Sequence, residues 1–563
     1  MIARRRHHWP RARRAPYACR MNSIIRFPTR VAILAAALTL AACGREAPPA
    51  AAPPAAPVAD HAGAANHLPA GIDWYGGDVD AAFAAAKAAD KPLFLYWGAE
   101  WCPPCAQVKS TIFNRREFQD RSKLFVPVYL DGDTPSAQKQ GERFGVVGYP
   151  TMILFRADGT EITRLPGGVD VERYAKILDV ALADARPVGE VLAAATSGGA
   201  VSNGDWQLLA YYDWGTDFGR ALPEADRVKT LRTLAERCPA DLPAECARLE
   251  FAFLDAAAGA KPAPLNGLDR AIARRDLVAA LGSPAVVEAN VDNLLYGADD
   301  VIGLLSDPAS PERRELTRAW GHALDRAAAG NQSPADRLKT LRARVVLVQL
   351  DAPKEPLPPA LQQEIRSAVA QVDASVTDPY ARQAAINAAV NLYFTAGMDA
   401  DADRLLTVEL GRSKQPYYFM LDLADIAQKA GRKQEAVQWL AQAYAGAEGP
   451  ATRFQWGYNY LVGLLEMTPE DTATIERTGL AVLGELDGSP DAFYQRTRIR
   501  LDELNGKLLE WGKNGERAAV VAKLRARTVQ ICAGLPEGDA GRANCERFLN
   551  RAAKASRVAS AST

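Results

Sequence analysis

Histidine is scarce in this 563-residue chain: its five residues stand at positions 7, 8, 61, 67 and 322. None lies near Trp101-Cys102-Pro103-Pro104-Cys105, the two thiols three positions apart around which the chain is organised. A structural zinc site needs four ligands, commonly with a second Cys or His pair at close spacing, so this lack argues against zinc there. No Met-rich or His-rich stretch accompanies the pair, which removes the usual setting of a thiolate copper site. Neither metal nor cofactor is expected. Acid is missing from residues 1–42, which carry nine arginines. The formal charge of zero conceals this: without those nine, 58 bases (67 less 9) face 67 acids, a net of about −9. That balance disfavours nucleic acid as a partner. Strand-like patterning is nearly lacking after Arg186-Pro187.

What is present fits several globular units. The length corresponds to about three or four domains, and 48% hydrophobic with 24% charged residues leaves enough apolar surface for several cores. From Met21 the order is a short basic region (Arg26, Arg30), an apolar run (Val31 to Leu40) and then Leu40-Ala41-Ala42-Cys43-Gly44, the pattern of a secretory signal. The small-residue site ending on Cys resembles the lipobox of bacterial lipoproteins, which implies that Cys43 is acylated and becomes the mature N-terminus. An ordinary signal peptide with an incidental Cys is the alternative. Gly44, which is not Asp, points under the same resemblance to the periplasmic face of the outer membrane rather than the inner membrane. Residues 1–20, arginine-rich and ahead of a complete signal, read as a mis-assigned start, and 21–42 as the signal peptide. Residues 43–66, dominated by Ala and Pro, cannot bury a core and read as a tether.

Eight cysteines occur. Setting aside Cys19 in the extension and Cys43 at the lipid, three locally spaced pairs remain: Cys102/Cys105, Cys238/Cys246 and Cys532/Cys545. Such pairs suit an oxidising compartment, where the outer two are expected to be structural disulfides. Buried free thiols are the alternative, since spacing does not determine pairing.

The Cys102 pair comes after the apolar run Leu93-Phe94-Leu95-Tyr96-Trp97 and precedes a segment with helical spacing. A thiol at a helix N-terminus faces unpaired N–H groups and the positive end of the helix dipole, which stabilise its thiolate. Cys102 is therefore the expected nucleophile, and Cys105, one turn further in, the thiol that resolves a mixed disulfide. Around it the pattern predicts helices at 79–89, 103–118, 136–144 and 171–182, and strands at 92–97, 124–130, 151–155 and 161–165, the last two a hairpin about Asp158-Gly159. Strands alternating with helices argue for a mixed sheet covered on both faces.

Strand, Trp-Cys-x-x-Cys, helix, strand, then Gly148-Tyr149-Pro150-Thr151 opening another strand resembles the thioredoxin fold, assigned here to residues 67–186. In that family a cis proline lies against the dithiol. The resemblance places Pro150 there, with Tyr149 contacting substrate and Trp101 shielding the dithiol and shaping its approach. Lys91-Pro92-Leu93 and Thr111-Ile112-Phe113-Asn114 resemble the periplasmic C-terminal domain of membrane thiol:disulfide interchange reductases. Pro104 matches the Pro before the resolving Cys of thioredoxin-type reductases, which favours reduction. One departure matters: thioredoxin carries a buried Asp beneath its active site, and Tyr96 stands in its place. Glu100, two positions before Cys102, is the nearest acid in sequence and a candidate for proton transfer; a solvated loop carboxylate is its plainer reading.

From 187 to 552 the chain reads as successive amphipathic helices, with 553–563 as a disordered tail. Ala396-Gly397 with Arg404-Leu405-Leu406 recurs as Ala430-Gly431 with Gln438-Trp439-Leu440, an offset of 34 residues (430 less 396) that is the tetratricopeptide period. The octet at 225–232 recurs at 335–342 with Val228 exchanged for Leu338. Such arrays stack into solenoids whose concave faces bind peptides or proteins. The fold expected is an α/β thioredoxin-like domain and then a large all-α helical-repeat domain. The function expected is a lipid-anchored periplasmic thiol:disulfide oxidoreductase acting on disulfide-containing client proteins, with a membrane electron donor if it is a reductase. The alternative is a helical scaffold or assembly factor in which the dithiol is regulatory or structural.

Overall fold

Four strands, β1 (Leu93–Gly98), β2 (Val126–Asp131), β3 (Thr151–Phe155) and β4 (Glu161–Leu165), form one sheet in the order β2-β1-β3-β4, and its register brings the dithiol and the proline segment to the same end of the sheet. The computed structural model describes residues 68–548, apart from 147, 166–170, 184–185, 218, 261–267, 331, 354 and 514. The expected start extension, signal peptide, Cys43, tether and C-terminal tail lie outside the described residues.

β1 (Leu93–Gly98) is buried at all six positions, which explains its unbroken apolar run: a central strand covered on both faces has no polar side. It runs parallel to β2 (Val126–Asp131) and antiparallel to β3 (Thr151–Phe155). β3 pairs antiparallel with β4 (Glu161–Leu165), through a turn in which Gly159 takes a φ of +89°. Trp97 lies opposite both Leu130 and Thr151, so the segment leaving β1 and the segment entering β3 must meet.

Asp78 caps α1 (Val79–Ala89) by accepting from the Ala81 amide at 2.7 Å. The helix expected over 103–118 is instead broken into α2 (Pro103–Val108), a π turn (Lys109–Phe113) and α3 (Arg116–Arg121). The Ser110 and Thr111 hydroxyls both donate to the Gln107 carbonyl, at 3.0 and 2.8 Å, and such back-bonding competes with the helical ladder. The Asn114 amide then bonds five residues back to Lys109, and Arg115 turns extended. α4 (Pro135–Arg143) and α5 (Val171–Leu182) complete this part.

Beyond it α-helices succeed one another from Val188–Ser197 to Ala540–Arg547, with no strand among the described residues. One buried apolar cluster runs from the sheet into these helices and holds Trp97, Trp101 and Tyr149 together with Tyr417 and Trp456. Among the described residues no helix is long and apolar enough to cross a membrane.

Candidate active site

Cys102 is the N-cap of α2, with an extended backbone (φ −82°, ψ 110°), and its Sγ accepts from the Cys105 amide at 3.3 Å. Pro103 occupies the first helical position, where a missing N–H costs nothing and φ is already set. Cys102 and Cys105 are joined as a disulfide with Cα atoms 5.2 Å apart. Neither cysteine has exposed surface.

The Tyr149–Pro150 peptide is cis and leads into Thr151, which pairs with Trp97 of β1. The Tyr149 hydroxyl donates to the Gly132 carbonyl at 3.0 Å and accepts from Gln138 Nε2 at 3.1 Å. Its ring lies 4.5 Å from Trp97 and 5.6 Å from Trp101. Burial pushes the phenol up to about 12. Trp101, Tyr149 and Pro150, expected to dock substrate, are thus together at the dithiol end of the sheet, and all three are buried.

The cover is the helical region itself. Trp101 Nε1 donates to Asp133 Oδ1 at 2.8 Å and to Thr452 Oγ1 at 2.9 Å. Its ring stacks on Tyr418 (6.1 Å) and meets Trp456 edge to face (4.8 Å). Gln383 Nε2 donates to the carbonyl of Trp101 at 2.9 Å. On the proline side Gln495 Nε2 donates to the carbonyl of Val146, and the Arg496 guanidinium sits over both Trp101 and Tyr149 at 5.0 and 4.8 Å. Gln495 holds a φ of +46°, a left-handed conformation that costs a non-glycine residue about 1–2 kcal/mol and persists only where surrounding contacts enforce it.

Tyr96 is fully buried where thioredoxin has its acid, its hydroxyl has no hydrogen-bond partner among the described residues, and burial raises its pKa. The ionisable group nearest in the helix is Lys109, one turn after Cys105 and 1% exposed. Burial lowers its amine to about 8, opposed by the charges of Glu100, Asp131 and Asp133. Lys109 Nζ lies 5.1 Å over the ring of Tyr380 from the helical region. Glu100 is half-buried, and its carbonyl accepts from Gln383 Nε2 at 3.4 Å. Desolvation, reinforced by the charge of Asp131, raises Asp133 well above the ordinary carboxylate range. Lys109, Asp133, Gln383, Thr452, Trp456, Gln495 and Arg496 were not legible as site residues. Trp456 in particular reads as core, and it is core that happens to rest on the dithiol's tryptophan.

The other four described cysteines pair locally. Cys238–Cys246 joins the end of the Arg227–Arg237 helix to the Pro243–Gly259 helix, with Cα atoms 5.4 Å apart. Cys532–Cys545 joins Gly515–Ala533 to Ala540–Arg547 at 5.7 Å. Among the described residues no group of three or more His, Cys, Asp or Glu is arranged to hold a metal ion.

Residues 79–182 match the thioredoxin-like domain family. The chain is 34% identical over 102 residues to the thiol:disulfide interchange protein DsbD of Cronobacter sakazakii, a match covering 17% of each chain. It is 30% identical over 93 residues to a thioredoxin of Pseudomonas aeruginosa, covering 16% of this chain and 80% of that one. Thioredoxin H4 of Arabidopsis thaliana is likewise 30% identical over 95 residues, covering 16% of this chain and 74% of that protein. The chain thus spans under a fifth of the interchange protein's length but most of a thioredoxin's.

Proposed function

We propose that this chain, which belongs to the thioredoxin family through residues 79–182, is a thiol:disulfide oxidoreductase working on client proteins through Cys102 and Cys105. The observation that carries this reading is the Cys102–Cys105 disulfide at the start of α2, at the same end of the sheet as cis Tyr149–Pro150. In the reducing direction the Cys102 thiolate attacks a client disulfide. A Cys102–client S–S bond forms, the client bond breaks, and one client sulfur leaves as thiolate. Cys105, deprotonated, then attacks the Cys102 sulfur; the second client thiol departs and the chain is left oxidised. Two electrons have passed to the client, and a dithiol-bearing membrane donor must return them, because an oxidising compartment holds no reducing pool.

The finer reading is a periplasmic reductase. Pro104 supports reduction, and the likeness to a membrane interchange protein supports the membrane donor. Lipid anchoring through Cys43 rests on the lipobox resemblance, and the outer membrane on Gly44. The domain limits are proposed as 67–186 and 187–552. A tetratricopeptide-like array is supported by Gly397 and Gly431, 34 residues apart, which both take positive φ, +68° and +76°, after a helix.

The scaffold reading draws on a specific observation, the complete burial of both cysteines. Turnover of a model protein disulfide by the reduced chain separates the two. Turnover lost in Cys102→Ser, with a mixed disulfide accumulating in Cys105→Ala, supports the oxidoreductase. Absence of any turnover by the wild-type chain leaves the scaffold.

A further inference from the structure

The face where a thioredoxin-type client is expected is filled by the chain itself. Between Trp101, Tyr149, Thr452 and Arg496 the space left is about 10 Å³, at most one water. A second cavity of about 220 Å³ opens on the other side of the dithiol, and Pro103 and Pro104, the dipeptide between the cysteines, form part of its wall.

The same cavity is lined by one stripe of the Pro379–Thr395 helix: Ala384, Asn387, Ala388 and Asn391. Positions 384, 387, 388 and 391 share a helix face. The alanines leave room for a backbone to approach, and the asparagines offer amides. Asn387 Oδ1 accepts the Tyr418 hydroxyl at 3.2 Å, and Asn391 Nδ2 donates to the Asn387 carbonyl at 2.8 Å. The other half of each amide has no hydrogen bond among the described residues. The two asparagines are about 6 Å apart along the axis, close to the spacing of about 6.7 Å between alternate residues of an extended chain. Arg227, also in the cavity wall, keeps a buried Nε without a hydrogen-bond partner among the described residues. That buried, unpaired Nε calls for a ligand or ordered water, and the two asparagines beside the same cavity are half-buried.

We propose that this cavity is the client site, taking an extended cysteine-bearing polypeptide segment whose backbone amides pair with Asn387 and Asn391 and whose disulfide is delivered to Cys102 past Pro103–Pro104. This rests on the oxidoreductase reading of Cys102 and Cys105. Tyr418 is the partition: it lines the cavity and stacks on Trp101, with its hydroxyl held by Asn387. A client amide that takes Asn387 Oδ1 displaces that hydroxyl and frees the ring to swing from Trp101. Entry of the segment and access to the sulfur are thereby the same event.

The test uses the full chain carrying Cys105→Ala, reduced and then treated with a peptide whose single cysteine is activated as an aryl disulfide. The Cys102 thiolate attacks the peptide sulfur and the arylthiolate leaves. Hydrogen exchange in this adduct is expected to slow within 379–395. Protection confined to 451–455 and 495–500 overturns the inference, since the client then lies on the cis-proline face. Failure of Cys102 to form any adduct, with no turnover by the wild-type chain, overturns the oxidoreductase reading and the inference with it. As a second readout, Asn391→Phe is expected to raise KM for a disulfide-bonded peptide about tenfold, the scale of one lost buried hydrogen bond, with kcat within about twofold. Asn387→Ala serves if that variant does not fold, and an unchanged KM in a folded variant counts against the site.

Discussion

The indole rings of Trp101 and Trp456 meet edge to face, centroids 4.8 Å apart at 70°, so the residue that precedes the nucleophile is clamped by the helical region. Trp456 is itself held by a hydrogen bond from its Nε1 to the Tyr417 carbonyl at 3.0 Å and is 1% exposed. Removing it empties the space over the dithiol. Trp456→Ala is expected to cost about 3–5 kcal/mol of stability. After reduction it should let Cys102 react with a bulky maleimide faster than in wild type. Equal alkylation rates in the two proteins would show that the clamp does not limit access.

Asp133 joins the two regions through Trp101 and Thr452, and its pH dependence has a definite sign. Folding raises its pKa from 3.8 to about 8, so between those values the native chain holds a proton that the unfolded chain has lost. Stability from this group therefore falls as pH rises from about 4 to about 8. Asp133→Asn keeps the acceptor without the charge. Its urea midpoint is expected to lie progressively above wild type from pH 5 to pH 8, and midpoints that stay parallel would refute the assignment.

Lys109 works in the adjoining window. Folding lowers its pKa from 10.5 to about 8, so the penalty for burying its charge is complete below about pH 8 and relieved as pH rises towards 10.5. Lys109→Met should unfold at higher urea than wild type at pH 7, less an offset of about 0.5–1 kcal/mol for the lost contact with Tyr380. The gap should narrow by pH 10. A variant less stable than wild type at pH 7 would mean that the ammonium is better compensated than burial implies.

Gly449 is required by both conformation and space. Its φ is +80°, and a Cβ there would stand 2.8 Å from the Cβ of Asp133, just where the Ala451 amide donates to the Asp133 carbonyl at 3.2 Å. Gly449→Ala is expected to destabilise by about 1–2 kcal/mol from the backbone alone, and to loosen the Thr452 contact, measured as faster exchange at 451–455. Unchanged exchange there would separate this glycine from the closure.

The local grammar of the thioredoxin-like part was legible because each signal acts over a few residues. The buried run 93–97 made a central strand, Asp158-Gly159 a hairpin turn, and Cys102 before proline a helix start. The single helix expected over 103–118 failed because Ser110 and Thr111 bond back to Gln107, a choice between two local hydrogen-bond patterns that periodicity does not register. Tyr96 could be recognised as a departure at its position. That Lys109 lies one turn from Cys105 could be counted from the spacing, but its burial and lowered pKa could not, because the burial comes from packing that includes Tyr380.

By itself the sequence determined the dithiol, its place at a strand-to-helix junction, the mixed sheet and the long helical region after it, all of which depend on neighbours in the chain. Only the tertiary structure decided that this helical region closes over the dithiol. It put Trp456 on Trp101, Gln495 on Val146 and Asn387 in one cavity wall with Pro103–Pro104. Those contacts join residues hundreds of positions apart, and the apolar and amide side chains that make them look like ordinary core or helix surface until the two surfaces are brought together.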